Sequence, residues 1–179
     1  MNVVSLRKQP LTEFAQRSDP TARLKGTFPL SAATGNKNTA CVYVEIEPGD
    51  QLPTHTDSAE ELLVILQGTA RVALGDERAE ATDGDVVVVP AMVPHSVRNV
   101  GTGKLRFVGI FSSNTVMSTF ERPLLPHVAA DEAPGAAFDA AVDAAAISPF
   151  GQRTILAPLP VQLEQRKEAA AHTVLARAS

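Results

Sequence analysis

Between Thr39 and Ser113 the chain alternates apolar and polar positions with a period of two. Val42, Val44 and Ile46 are interleaved with Tyr43, Glu45 and Glu47, the pattern of a strand with one buried face. Pro48-Gly49-Asp50 closes that strand as a turn. Leu62–Leu66 is a short apolar run ended by Gln67-Gly68, and in Thr69–Leu74 the residues Ala70, Val72 and Leu74 share a face. Gly75-Asp76 has the chemistry of a hairpin turn, Arg78–Thr82 reads as a polar strand, and Asp83-Gly84-Asp85 turns the chain again. Val86–Val89 is a continuous β-branched run, expected to be packed on both faces. Val93–Val97 and Leu105–Phe111 supply two further strands. Short strands with turns at this spacing predict an all-β fold, an antiparallel sandwich or barrel. Its core is expected to hold Val42, Val44, Ile46, Leu63, Ile65, Val72, Leu74, Val87 and Val89.

The ends read differently. Residues 1–24 mix charge, Pro and Ser and predict an arm or a short strand over a barrel of residues 25–120. Residues 121–179 form an Ala-rich extension, helical or irregular. Within it Phe138, Val142 and Ala146 fall at helical spacing. Pro149, Pro158 and Pro160 bound an extended stretch, and Val161–Ala178 is a docked helix or a solvated tail.

Composition narrows the partners. The 179 residues carry a net charge of −4 with 4% aromatics, no Trp and one Tyr. Neither a basic stripe nor a base-stacking surface follows, so no nucleic acid partner is expected. The lone Cys41 rules out an intramolecular disulfide. The first 16 residues have no long apolar stretch, and there is no 18-residue apolar run. The expectation is a cytoplasmic chain that does not enter a membrane.

The chemistry concentrates in two clusters. The first runs Gly49-x5-His55-x-Asp57-x3-Glu61-x6-Gly68, the second Gly84-x5-Pro90-x4-His95-x3-Asn99. His55 and Asp57 lie two apart and share a face if the segment is a strand. Glu61 then begins the next strand, with Glu60 turned outward, and a third strand can bring His95 to the same wall. Two imidazoles and two carboxylates converging on one interior point make a metal site. Asn99 and Ser96 read as turn and strand residues, and His127 and His172 as surface or tail.

Taken together, the clusters resemble the two motifs of the cupin superfamily, G-x5-H-x-H-x3–4-E-x6-G and G-x5-P-x-G-x2-H-x3-N. The first is matched at Gly49, His55, Glu61 and Gly68, the second at Gly84, Pro90, His95 and Asn99. The likeness covers about Thr39 to Phe111. It implies an antiparallel cupin β-barrel, or jelly roll, holding one divalent metal ion on His55, Asp57, Glu61 and His95. Two positions depart from the motifs: Asp57 stands where the second histidine is usual, and Met92 where a glycine is usual. Asp57 binds the ion directly or, being shorter than His, through a water. The set then resembles in ligand kind the two-His, one-carboxylate triad, which favours Fe(II), with Mn, Ni or Zn as alternatives. The resemblance further implies a metal-dependent oxygenase for a small enolisable or phenolic molecule, with Leu63, Ile65 and Phe107 as wall residues, and a homodimer. The alternatives are a non-catalytic binding protein or a cupin isomerase, decarboxylase or lyase.

Overall fold

The computed structural model describes residues 3–126 and the strand Arg153–Ala157. The strands in chain order are β1 (Thr12–Gln16), β2 (Asp19–Leu30), β3 (Ala40–Ile46), β4 (Gln51–Asp57), β5 (Glu61–Gln67) and β6 (Ala70–Leu74). They continue with β7 (Glu77–Ala81), β8 (Val86–Val89), β9 (His95–Asn99), β10 (Leu105–Phe111), β11 (Val116–Phe120), β12 (Leu125–Pro126) and β13 (Arg153–Ala157). Helical structure among the described residues is confined to the short turns Leu6–Lys8 and Ala32–Thr34.

Among the described residues all pairings are antiparallel and build two sheets. One has the order β12-β1-β2-β3-β10-β5-β8, the other β13-β11-β4-β9-β6-β7. Sequence neighbours often lie in different sheets, as β4 and β5 do, which is the jelly-roll arrangement of a cupin barrel. Alternation decides what each sheet buries. Val44, Ile46, Leu63, Ile65, Val72 and Val89 point into a shared core with Val97, Leu105 and Phe107. Val42, Leu74 and Val87 pack against that core but are only partly buried.

Three expectations change. Val86–Val89 is not covered on both faces: β8 is the edge strand, and Val86 and Val88 stay 56% and 52% exposed. A continuous apolar run does not distinguish a central strand from an edge strand with one bare face. The barrel boundary expected at Lys25 falls inside β2, because the sheet already begins at Thr12. Phe14, Ala22 and Leu24 are buried between exposed or half-exposed Glu13, Arg23 and Lys25, so of the two readings of this stretch, arm or short strand, the strand holds, as half of a strand pair. Leu63 and Ile65, expected in the wall of the mouth, are instead fully buried in the core. The extended stretch bounded by Pro149 and Pro158 contains β13, which pairs with β11. The helices expected at Phe138–Ala146 and Val161–Ala178 lie outside the described residues, as do His127 and His172.

Candidate metal centre

Three neighbouring strands, β11, β4 and β9, bring the polar residues together. In this register His55 lies opposite both His95 and Phe120, and Asp57 lies opposite Ser118. A register shift between Leu52 and His55 carries Pro53, which has no N–H to give to a ladder. Beyond it His55 and Asp57 alternate inward with exposed Thr54 and half-buried Thr56. Glu61 opens β5 in the facing sheet. The candidate residues therefore close on one point from both sheets, and all four are buried.

The imidazoles are oriented by backbone carbonyls two residues before them in the chain. His55 Nδ1 lies 2.9 Å from the Pro53 carbonyl, and His95 Nδ1 lies 3.0 Å from the Val93 carbonyl. A carbonyl only accepts, so each Nδ1 carries the proton and each Nε2 lone pair is left for another partner. His55 is also stacked on Phe120, with ring centroids 4.7 Å apart. Asp57 Oδ2 lies 3.5 Å from His55 Nε2 and 3.3 Å from His95 Nε2, and Glu61 Oε2 lies 3.5 Å from His95 Nε2. The Ser118 hydroxyl donates to Asp57 Oδ1. Yet Asp57 Oδ2 and His95 Nε2 are buried with no hydrogen-bond partner.

These spacings fit a shared cation. Two atoms each about 2.1 Å from one ion, subtending roughly 90–110° at it, lie about 3.0–3.4 Å apart. His55, Asp57 and His95 each offer a ligand atom within 4.8 Å of the others, so this trio could hold a metal. Glu61 stands beside it through His95. Charge in the cluster responds accordingly. Burial works against ionised Asp57, but His55 and His95 beside it hold its carboxyl far below the usual range. Burial also works against charged His95, and the carboxylates of Asp57 and Glu61 outweigh it, raising His95 to about 10. Glu61 is pushed up, chiefly by burial. The Cys41 thiol, raised by burial to about 11, stays protonated at neutral pH.

Above the centre lies a cavity of about 70 Å³. His55, Asp57 and Glu61, with the hydroxyls of Thr27 and Ser118, form its polar part. Five phenylalanines, Phe14, Phe28, Phe107, Phe111 and Phe120, line the rest with Leu24, Leu52 and Leu124.

A family model described as "Cupin domain" matches residues 42–111. The match spans the strands from β3 to β10, so this part of the chain is similar to a cupin domain. Among solved cupin-fold structures, a Thermotoga maritima protein described as a predicted oxalate decarboxylase is 21% identical, with a TM-score of 0.55 over 63% of this chain and 99% of that one. The cupin domain of Schizosaccharomyces pombe Cnp3 is 20% identical, with a TM-score of 0.51 over 62% and 73%. At such identities the likeness is one of fold. An uncharacterised protein of Methanocaldococcus jannaschii is 31% identical over 51 residues, which are 28% of this chain and 41% of that protein. The chain thus spans well under half the length of that relative. No helix among the described residues is long and apolar enough to cross a membrane.

Set against the cupin motifs, the two departures have clear structural forms. Asp57 occupies the second histidine position without leaving the cluster. Met92 adopts φ 64°, the left-handed conformation suited to the usual glycine, and its N–H donates to the Asp57 carbonyl at 2.8 Å. Asn99 acts as a latch on the turns, donating to the carbonyls of Ile46 and Gly103 and accepting from Gly101 N–H. Glu60 is exposed, as strand alternation requires.

Two contributors escape the motif reading. Ser118 lies in a strand with no signature of its own. Gly109 faces Glu61: a Cβ there would fall inside the Glu61 carboxylate and 2.8 Å from Val42 Cγ1. The bare backbone of β10 at that point gives Glu61 its room. The signal available for it was a glycine inside an otherwise apolar strand, which marks a bulge or a close approach.

Proposed function

We propose that this cupin is a metal-dependent oxygenase of the dioxygenase type, acting on a small enolisable or phenolic molecule. In this reading His55, Asp57, Glu61 and His95 hold one divalent ion, Fe(II) in preference to Mn, Ni or Zn. The observation that carries it is the pair of buried, unpartnered atoms, Asp57 Oδ2 and His95 Nε2, facing each other, with Asp57 in the wall of an apolar cavity. When bound, the ion supplies a Lewis-acid and redox centre for O2 and a substrate oxygen. The chain's own part is positioning. The Pro53 and Val93 carbonyls fix the two imidazoles, Ser118 holds Asp57, and the phenylalanines keep water from the bound substrate. Two imidazoles with carboxylate ligands suit non-haem iron. A dioxygenase places both atoms of O2 in its product, so no further reductant is required.

The protein is proposed to work as a cytoplasmic homodimer. Elemental analysis of protein purified without a His tag should find one divalent ion per chain, and oxygen uptake should accompany turnover in a screen of phenols and enolisable ketones. Absence of stoichiometric metal would end this reading. Carbon dioxide release without oxygen uptake would make the protein a decarboxylase, and tight binding without turnover a carrier or sensor.

A further inference from the structure

The charge of the cavity restricts its ligand. In the metal-centre reading, on which this inference rests, the carboxylates of Asp57 and Glu61 balance a divalent ion, leaving the centre without net charge. Among the described residues, no lysine or arginine lines the cavity. Apart from the candidate ligands, the side-chain polar groups of the wall are the hydroxyls of Thr27 and Ser118, and Ser118 already donates to Asp57. An anionic ligand would therefore bring a charge that no side chain in the wall balances, in surroundings that solvate ions poorly. The wall offers aromatic surface instead, since five of the seven phenylalanines in the sequence line it. Flat apolar molecules gain from contact with such rings.

We propose that the substrate is an uncharged, ring-bearing molecule that presents a neutral oxygen to the centre, and that small carboxylates such as oxalate are poor ligands. The feature that decides this is the phenylalanine wall, which among the described residues carries no cation. The strands β1 and β2 take part through Phe14, Leu24, Thr27 and Phe28, so the N-terminal strand pair shapes the specificity of a site whose candidate ligands lie on later strands.

Co(II)-loaded full-length protein provides a test independent of turnover, because ligands entering the centre perturb its visible absorption. Benzamide and benzoate have the same shape and differ in charge; oxalate carries two charges and no ring. Benzamide should bind at least tenfold more tightly than either anion. Thr27→Arg, at a half-buried position of the wall, should raise benzoate and oxalate affinity at least tenfold. Wild-type protein that binds oxalate or benzoate as tightly as benzamide would overturn the proposal, whether or not the variant folds. Calorimetry on metal-free protein separates this from failure of the oxygenase reading. If the chain takes up no Co(II) but still prefers benzamide, the ligand class stands and the metal reading fails. If it prefers the anions, both fail.

Discussion

Asp57 touches three polar groups at the centre: both Nε2 atoms through Oδ2 and the Ser118 hydroxyl through Oδ1. Asp57→Asn keeps the shape and removes the charge, and should weaken metal retention by roughly 100-fold or more, measured by competition with a chelator. The same residue sets a pH dependence. In chelator-treated protein His95, raised to about 10, stabilises the fold fully below its unfolded value of about 6.5 and loses that contribution as pH climbs toward 10. Asp57, depressed, contributes above about 3.9 and loses it as pH falls further. Metal-free stability should therefore be highest between about pH 4 and 6.5. Metal takes the place of the His95 proton, so the rise in melting temperature on loading should grow from about pH 5 to 9. An increment that shrinks over that range would contradict the assignment. Gly109→Ala forces its methyl onto Glu61 and should cost about 1–3 kcal/mol by overpacking. Adding Glu61→Ala should recover much of that loss in a thermal melt, a coupling that unrelated damage would not give.

Strand by strand, alternation made the middle of the barrel legible from sequence because each central strand has one wet and one dry face. Leu105–Phe111 and Val86–Val89 appear with the bounds their residues suggest. Motif spacing did the same for His55, Asp57, Glu61 and His95, since period two places them inward once the strands are known. The rest was hidden for physical reasons. In β1 and β2 the inward residues are few and Glu13, Arg23 and Lys25 interrupt them, so the charge masked the period. The part played by Ser118 depends on which strand lies beside β4, a long-range fact that no local pattern carries. The turn joining β8 and β9 holds a further lesson. Met92, 63% exposed, occupies a left-handed conformation that costs a side-chain-bearing residue about 1–2 kcal/mol. Met92→Gly should stabilise the protein by roughly 0.5–1 kcal/mol after the added freedom of the unfolded chain is counted. Urea unfolding would read this as a higher midpoint with an unchanged slope.

At the scale of the molecule two of the sheet edges, β7 and β8, differ. The β7 edge carries Glu77, Arg78 and Glu80, charges that discourage pairing with another chain. The β8 edge instead exposes Val86 and Val88, and the register sets Val88 beside Leu62 and Leu62 beside Ile110, all on the outer surface. An apolar stripe of this kind is where the proposed homodimer would meet itself across a two-fold axis. Val88→Lys should then shift light scattering from dimer to monomer at micromolar concentration, without loss of the melting transition; a monomeric wild type would remove the dimer. One earlier detail reaches further than the site itself. Each imidazole is aimed by a carbonyl two residues before it in the chain, so the pose of these side chains is written in local backbone and owes little to the walls. The walls are thereby free to drift over evolutionary time. Libraries randomised at Phe14, Leu24 and Phe28 should yield many clones that keep the ion while exchanging one guest for another, so that new specificities can arise here without passing through an inactive ancestor.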